Sequence, residues 1–319
     1  MQWHDGAMPS AEPHPQHFSN RLALYFAATR PAFLSVTLAG ALIGLGTAHA
    51  DGYAIDWLKA LLTVLFALVA HAGANVVNDY YDALSGTDAH NTERLSPFTG
   101  GSRFIQNGVL SVQQTRAFGY ALLAVVIPAG LWLSLHSAPG LLAIGAAGLL
   151  IAWAYSAPPL QLMARGMGEL GIVGGWLLVV LGTDFVQRGA FAALPVWMGM
   201  PFALLVAAIL YINQFPDRAA DAAAGKRTVV VLLGAHTARW GYCLIVGAAY
   251  LWLACAVLGG AAPSVVAVGL LPAVLSVVAA MRLVRDADHP AQLAPAIQAT
   301  IAAANLHGLL VSAALVLAH

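Results

Sequence analysis

Charge is scarce in this sequence. Only 9% of its 319 residues are Asp, Glu, Lys or Arg, against about a quarter in soluble domains. That scarcity excludes an ordinary water-soluble globule, whose surface needs charge to stay hydrated. The 14 basic and 14 acidic residues cancel, so there is no electrostatic footprint for nucleic acid. Cysteine is equally sparse. Cys243 and Cys255 lie in one apolar stretch, and a helix would hold them ~18 Å apart, too far for a disulfide. They read as packing residues. The polar first 20 residues hold His4, His14 and His17 but lack the basic-then-apolar order of a signal peptide. A disordered tail over 1–20 is expected, followed by a single transmembrane domain over 21–319.

What is abundant is hydrocarbon. Apolar residues make up 60% of the chain and the mean hydropathy is +0.77. Runs long enough to span a bilayer occur at about 32–50, 57–77, 117–135, 139–157, 170–187, 195–213, 238–259, 264–284 and 296–317. The fold class expected is therefore all-α integral membrane, with nine transmembrane helices. With the N-terminus placed in the cytoplasm, all of the 14 Lys and Arg except Lys59 and Arg188 fall on the cytoplasmic side. That is the bias the positive-inside rule describes. Two long polar loops, 78–116 and 214–237, then share that side, which suggests a site opening to it.

The two loops look like copies. The first opens Asn75-Val76-Val77-Asn78-Asp79-Tyr80-Tyr81-Asp82 and runs on to Asp88. The second opens Asn213-Gln214-Phe215-Pro216-Asp217-Arg218-Ala219-Ala220-Asp221. Each follows an apolar run, the second and the sixth, as a parallel repeat of four helices with a ninth added would leave them.

Spacings of three (Asp79, Asp82) and four (Asp217, Asp221) put each pair on one helical face. Neighbouring carboxylates repel, and a cation relieves the repulsion. Mg²⁺ suits such oxygen donors, held by one or two carboxylates plus substrate phosphates. Two clusters facing each other would grip a diphosphate, and Asp88 adds a further carboxylate. Solvated charges or helix caps are the alternative. Arg94, Arg103, Lys226 and Arg227 are candidates to neutralise the diphosphate, although the positive-inside bias alone also accounts for an Arg in these loops. The glycines of Thr99-Gly100-Gly101-Ser102-Arg103 would let backbone N–H groups approach phosphate. Asn75, Asn78 and Asn213 sit at the membrane boundary, where polar groups need partners: the metal, the Asp clusters, or a helix cap. Tyr155 is either a ring whose π-face steadies a carbocation or a member of the interfacial aromatic belt. Asp184 has no functional reading beyond a partnered interfacial charge.

These motifs resemble the UbiA superfamily of intramembrane prenyltransferases. Asn78-Asp79-Tyr80-Tyr81-Asp82 matches its N-D-x-x-D pattern. The continuation to Gly86 and Asp88 is most similar to the 1,4-dihydroxy-2-naphthoate branch of menaquinone synthesis. So are Thr99 to Arg103, Gly166 to Gly171, and Gly225-Lys226-Arg227-Thr228. Arg30-Pro31 also resembles the family, and the likeness spans about 30–315. The second motif departs from the branch, reading Asn213-Gln214-Phe215-Pro216-Asp217 where Asn-Asn-x-Arg-Asp is common.

The resemblance implies a bundle around a central cavity, capped by the two Asp loops and open sideways to lipid. It implies Mg²⁺-assisted ionisation of a polyprenyl diphosphate and attack by an aromatic acceptor. Asp79, Asp82, Asp88, Asp217 and Asp221 would be metal ligands. Other acceptors (4-hydroxybenzoate, homogentisate, haem, a lipid alcohol) and a secondary transporter are the competing readings. A bacterial inner membrane, a site facing the cytoplasm, and no obligate protein partner complete the expectations.

Overall fold

The computed structural model describes residues 12–318. Among them there is no β-strand; the chain is a helical bundle. In chain order the apolar helical segments are α1 (Pro31–Ala50), α2 (Trp57–Ser85), α3 (Val112–His136), α4 (Gly140–Ala154), α5 (Gly168–Arg188), α6 (Leu194–Ala223), α7 (Ala235–Leu258), α8 (Ser264–Asp286) and α9 (Ala294–Leu317). Helices follow from the solvent: inside a bilayer every backbone N–H and C=O must be satisfied within its own segment. Eight of these are long and apolar enough to cross a membrane, and the chain is an integral membrane protein. The exception is α4. Its 15 residues rise ~22 Å, short of the ~30 Å hydrocarbon core, so eight of the nine expected spans reach the length a bilayer needs and the ninth is a short apolar helix.

The helix α6 is the axis of the bundle. Of its most apolar window 72% is buried, and Phe202, Leu205, Ile212 and Phe215 are sealed off from the surface. Around it α1, α7, α8 and α9 build the main core. Small residues let helices close: a Cβ on Gly44 of α1 would lie 2.4 Å from the carbonyl oxygen of Val180 on α5, the contact type that replaces hydrophobic drive inside lipid. By contrast neither α2 nor α3 contributes a side chain to the main core; both line a cavity.

Helix lengths correct the loop boundaries. No Gly or Pro interrupts 75–85, so α2 runs through the first motif and stops at Gly86, whose φ of 78° caps it in the left-handed conformation. Likewise α6 runs through Pro216 to Ala223. Asp79, Asp82, Asp217 and Asp221 thus stand on the last turns of helices, not in loops, and Asp88 on the short helix Thr87–His90.

The far end of α5 is pinned by an ion network. Asp184 (1% exposed) accepts from Thr47 Oγ1 at 2.9 Å and pairs with Arg188 at 2.8 Å. Arg188 also meets Asp51 at 2.7 Å and lies over the Tyr53 ring. Asp184 is the partnered charge expected of it.

Of the expected disordered tail, residues 1–11 lie outside the described residues. The rest departs from that expectation. Glu12 bonds Arg94 and Asn107, Phe18 packs on Phe104, and Asn20 caps the helix Arg21–Ala28.

Candidate active site

Two helices deliver carboxylates to one end of the bundle. Lys226 ties them together. Its Nζ lies 2.7 Å from Asp82 Oδ1 of α2 and 3.5 Å from Asp221 Oδ1 of α6. It gets there because Gly225, with φ 77°, turns the chain back as α6 ends, and the Lys226 N–H closes the turn on the Asp221 carbonyl at 2.9 Å. Burial pulls the Lys226 amine toward neutrality, but Asp82 and Asp221 outweigh it and hold the ammonium well above its ordinary range.

The other carboxylates are held by the first loop. Asp217 accepts from Asn91 Nδ2 at 2.5 Å, and Asp79 from the Ser102 N–H at 3.1 Å. Asp88 accepts from Gln106 Nε2 at 3.2 Å, and its carbonyl accepts from Arg103. Burial first, then the neighbouring Asp82 and Asp79, push the Asp88 carboxyl up to about 8. Gly101 is required here. Its φ is 72°, and a Cβ would stand 2.5 Å from Asp88 Oδ2. The glycine loop expected at phosphate also packs on the acids, and Gly100 and Gly101 border the cavity below.

Asn78 joins α2 to its surroundings, donating to Asp82 at 3.1 Å and to Ser156 at 3.2 Å. Asn75 donates to the Thr29 carbonyl at 3.0 Å. Asn213 donates to the Phe98 carbonyl at 3.4 Å, leaving its own oxygen buried without a partner. The Asn91 oxygen is orphaned in the same way. Beside them Gln214 donates to Glu169 at 2.5 Å.

Below this polar end lies a cavity of about 680 Å³. Asp82, Asp88, Asp217, Asp221, Lys226 and Arg30 border its charged mouth, and Asn75, Asn78, Asn213 and Tyr155 also face it. The walls beneath are largely hydrocarbon from α2 to α5. Ile127 and Leu131 of α3 and Leu142 of α4 line the cavity yet are about half exposed, at 51%, 50% and 47%. These half-exposed hydrocarbon side chains make α3 and α4 the least packed wall of the cavity.

Not every expected residue is at the cavity. Asp79 stays behind Ser102. Arg94 is engaged by Glu12 at 2.5 Å and by the Asn91 carbonyl. Arg103 turns to the Asp88 backbone, and Arg227 is exposed while its N–H bonds the Ala164 carbonyl. These three arginines stand outside the cavity wall. Arg30 takes their place. It precedes Pro31 with a left-handed φ of 59°, and its guanidinium lies over Phe33. The Arg30-Pro31 dipeptide was visible in the sequence, but Arg30 read there as one more cytoplasmic charge.

The charge balance identifies what the site can hold. Four buried carboxyl groups, Asp79, Asp82, Asp88 and Asp221, and the half-buried Asp217 stand against one buried ammonium and Arg30. Excess buried negative charge is costly unless compensated, and orphaned amide oxygens stand beside it. The donors are all hard oxygens, the set that suits Mg²⁺. Among the described residues, no three acidic or other metal-ligating side chains close to coordination distance; Lys226 stands between Asp82 and Asp221.

Comparison with known proteins agrees with this architecture. A 1,4-dihydroxy-2-naphthoate octaprenyltransferase of Mycobacterium leprae is 33% identical over 303 residues, covering 93% of this chain and 97% of the relative. One from Escherichia coli is 28% identical over 237 residues, covering 72% and 74%. Among solved structures, a UbiA homolog from Archaeoglobus fulgidus bound to DMAPP and Mg²⁺ superposes with a TM-score of 0.61 at 15% identity, over 91% of this chain and 99% of that one. The model of the UbiA prenyltransferase family matches residues 33–303, and the chain belongs to that family.

Proposed function

We propose that this protein transfers a polyprenyl group from its diphosphate to 1,4-dihydroxy-2-naphthoate in menaquinone synthesis. One observation carries the reading: a hydrocarbon cavity closed at one end by carboxylates from two distant helices around a single lysine. The names of the relatives supply the acceptor, and the sequence resemblance supplies the pathway.

Asp82, Asp88, Asp217 and Asp221, which border the cavity, would hold Mg²⁺, with Asp79 set behind Ser102 as a further carboxylate. That ion would supply charge neutralisation to the diphosphate leaving group. Lys226 and Arg30 aim further positive charge at the same place, where negative charge grows in the transition state. The allylic C–O bond breaks and its electron pair leaves on the diphosphate. The dry cavity keeps water from the allylic cation. Tyr155, facing the cavity, offers a π-face to that cation. A ring carbon of the acceptor then forms the new C–C bond. At the carbon bearing the carboxylate, loss of CO₂ returns the bonding pair to the ring. The prenyl tail lies along the hydrocarbon walls of α3 and α4. The charged end is placed on the cytoplasmic face of a bacterial inner membrane, an orientation that the bias in Lys and Arg favours.

The test is direct. Purified protein, a labelled polyprenyl diphosphate, 1,4-dihydroxy-2-naphthoate and Mg²⁺ should yield the prenylated, decarboxylated naphthalene by mass spectrometry, together with diphosphate and CO₂. Transfer only to 4-hydroxybenzoate or another acceptor would correct the acceptor. Absence of transfer to any acceptor would overturn the reading.

A further inference from the structure

The cavity wall is not uniformly apolar. Where α3 and α4 line it the side chains are hydrocarbon, except Ser134, whose hydroxyl already donates to the Gly130 carbonyl at 2.7 Å. On α1, α2 and α5 it is otherwise. Thr37, His71 and Trp176 all face the cavity from within membrane-spanning segments. His71 precedes Asn75 by four residues and Asp82 by eleven, on the same face of α2. It therefore sits ~6 Å and ~16 Å along the helix from those residues, beneath the charged mouth.

The three residues form a built cluster. Thr37 Oγ1 and His71 Nδ1 share a hydrogen bond of 2.8 Å, which fixes the imidazole. No second hydrogen bond engages the ring, so Nε2 has no partner among the described residues. Trp176 stands edge-on to it, with centroids 5.0 Å apart and planes at 85°, and the Trp176 Nε1–H is buried with no partner. A prenyl chain beyond its diphosphate is pure hydrocarbon and offers the cavity-facing Nε2 no partner. That nitrogen suits the other substrate.

We propose that His71 Nε2 hydrogen-bonds a ring hydroxyl of the aromatic acceptor, with Thr37 holding the imidazole in place and Trp176 packed edge-on against it. This rests on the prenyl-transfer reading and deepens it. A hydroxyl both donates and accepts, so it pairs with Nε2 in either tautomer, whereas a carboxylate only accepts. A hydroxyl donating to Nε2 carries more negative charge on its oxygen, and the ring it feeds becomes the better nucleophile. No proton leaves the acceptor in this recognition.

The test is steady-state kinetics with wild type, His71→Phe and His71→Gln. The probes are 1,4-dihydroxy-2-naphthoate as substrate and 1-hydroxy-2-naphthoate and 4-hydroxy-2-naphthoate as inhibitors. His71→Phe should raise the acceptor KM tenfold or more, leave the prenyl diphosphate KM within twofold, and be partly rescued by His71→Gln. The analogue lacking the hydroxyl that His71 reads should inhibit wild type and His71→Phe equally; the other should lose affinity for the variant. An unchanged acceptor KM, an equal rise in both KM values, or equal weakening of both analogues overturns the proposal alone. Absence of transfer by wild type overturns the prenyl-transfer reading and this proposal with it.

Discussion

Lys226 and Asp82 lie 144 residues apart in sequence and 2.7 Å apart in space. That contact joins α2 to the turn that follows α6 at the mouth of the cavity. It also makes the lysine answerable for two carboxylates. Lys226→Met should abolish the tie between α2 and α6 and reduce prenyl transfer by about 10²-fold or more, the scale of losing one preorganised charge donor. Initial rates on purified, folded variant check this. A rate within threefold of wild type would remove Lys226 from the machinery.

The arginines separate cleanly. Arg30 faces the cavity and Arg227 faces outward. Arg30→Ala should lower kcat/KM for the prenyl diphosphate about tenfold or more, which corresponds to ~1.4 kcal/mol. Arg227→Ala should stay within about twofold. Paired kinetic assays of the two variants decide between this assignment and the sequence-based one, which placed the diphosphate on Arg227.

Gly101→Ala tests the fit of the first loop against Asp88. A methyl group 2.5 Å from Asp88 Oδ2 has no room, and the left-handed backbone adds about 1 kcal/mol of strain. The variant should lose transfer activity while the bundle remains folded by circular dichroism. Ser102→Ala keeps the backbone N–H that bonds Asp79 and should be close to wild type.

At the opposite end, Asp184→Ala leaves Arg188 without its closest buried partner. Breaking such a pair costs roughly 3–5 kcal/mol, so the thermal midpoint should fall. Turnover per folded molecule should hold at low temperature, because Asp184 lies outside the cavity wall. A loss of turnover without a loss of stability would contradict a purely structural role.

Much of this architecture was legible in the sequence, and the residues show why. Asp79, Asp82, Asp217 and Asp221 were readable because carboxylates spaced by three or four on one helical face are costly without a cation. That α2 continues through its motif to Gly86 was not drawn from the sequence, although nothing in 75–85 breaks a helix; polarity was taken as the end of the helix, whereas polarity marks only the end of the membrane. Arg94 was misplaced because its partner is Glu12, far upstream and outside any local pattern. Lys226 and Arg227 are adjacent and alike in charge. Only the turn at Gly225 sends one inward and the other out. His71 and Trp176 were missed because each looks like ordinary apolar-helix content until the cavity beside it is seen.

The central claim is that carboxylates from α2 and α6 bind a divalent cation together with the prenyl diphosphate. Equilibrium binding of a non-ionisable prenyl diphosphate analogue, with Mg²⁺ and with EDTA, on wild type, Asp82→Asn and Asp217→Asn tests it most directly. The account predicts tight binding by wild type only when Mg²⁺ is present, weakened at least tenfold by either substitution. Equal binding in EDTA, or full Mg²⁺-dependent binding by both variants, would contradict it.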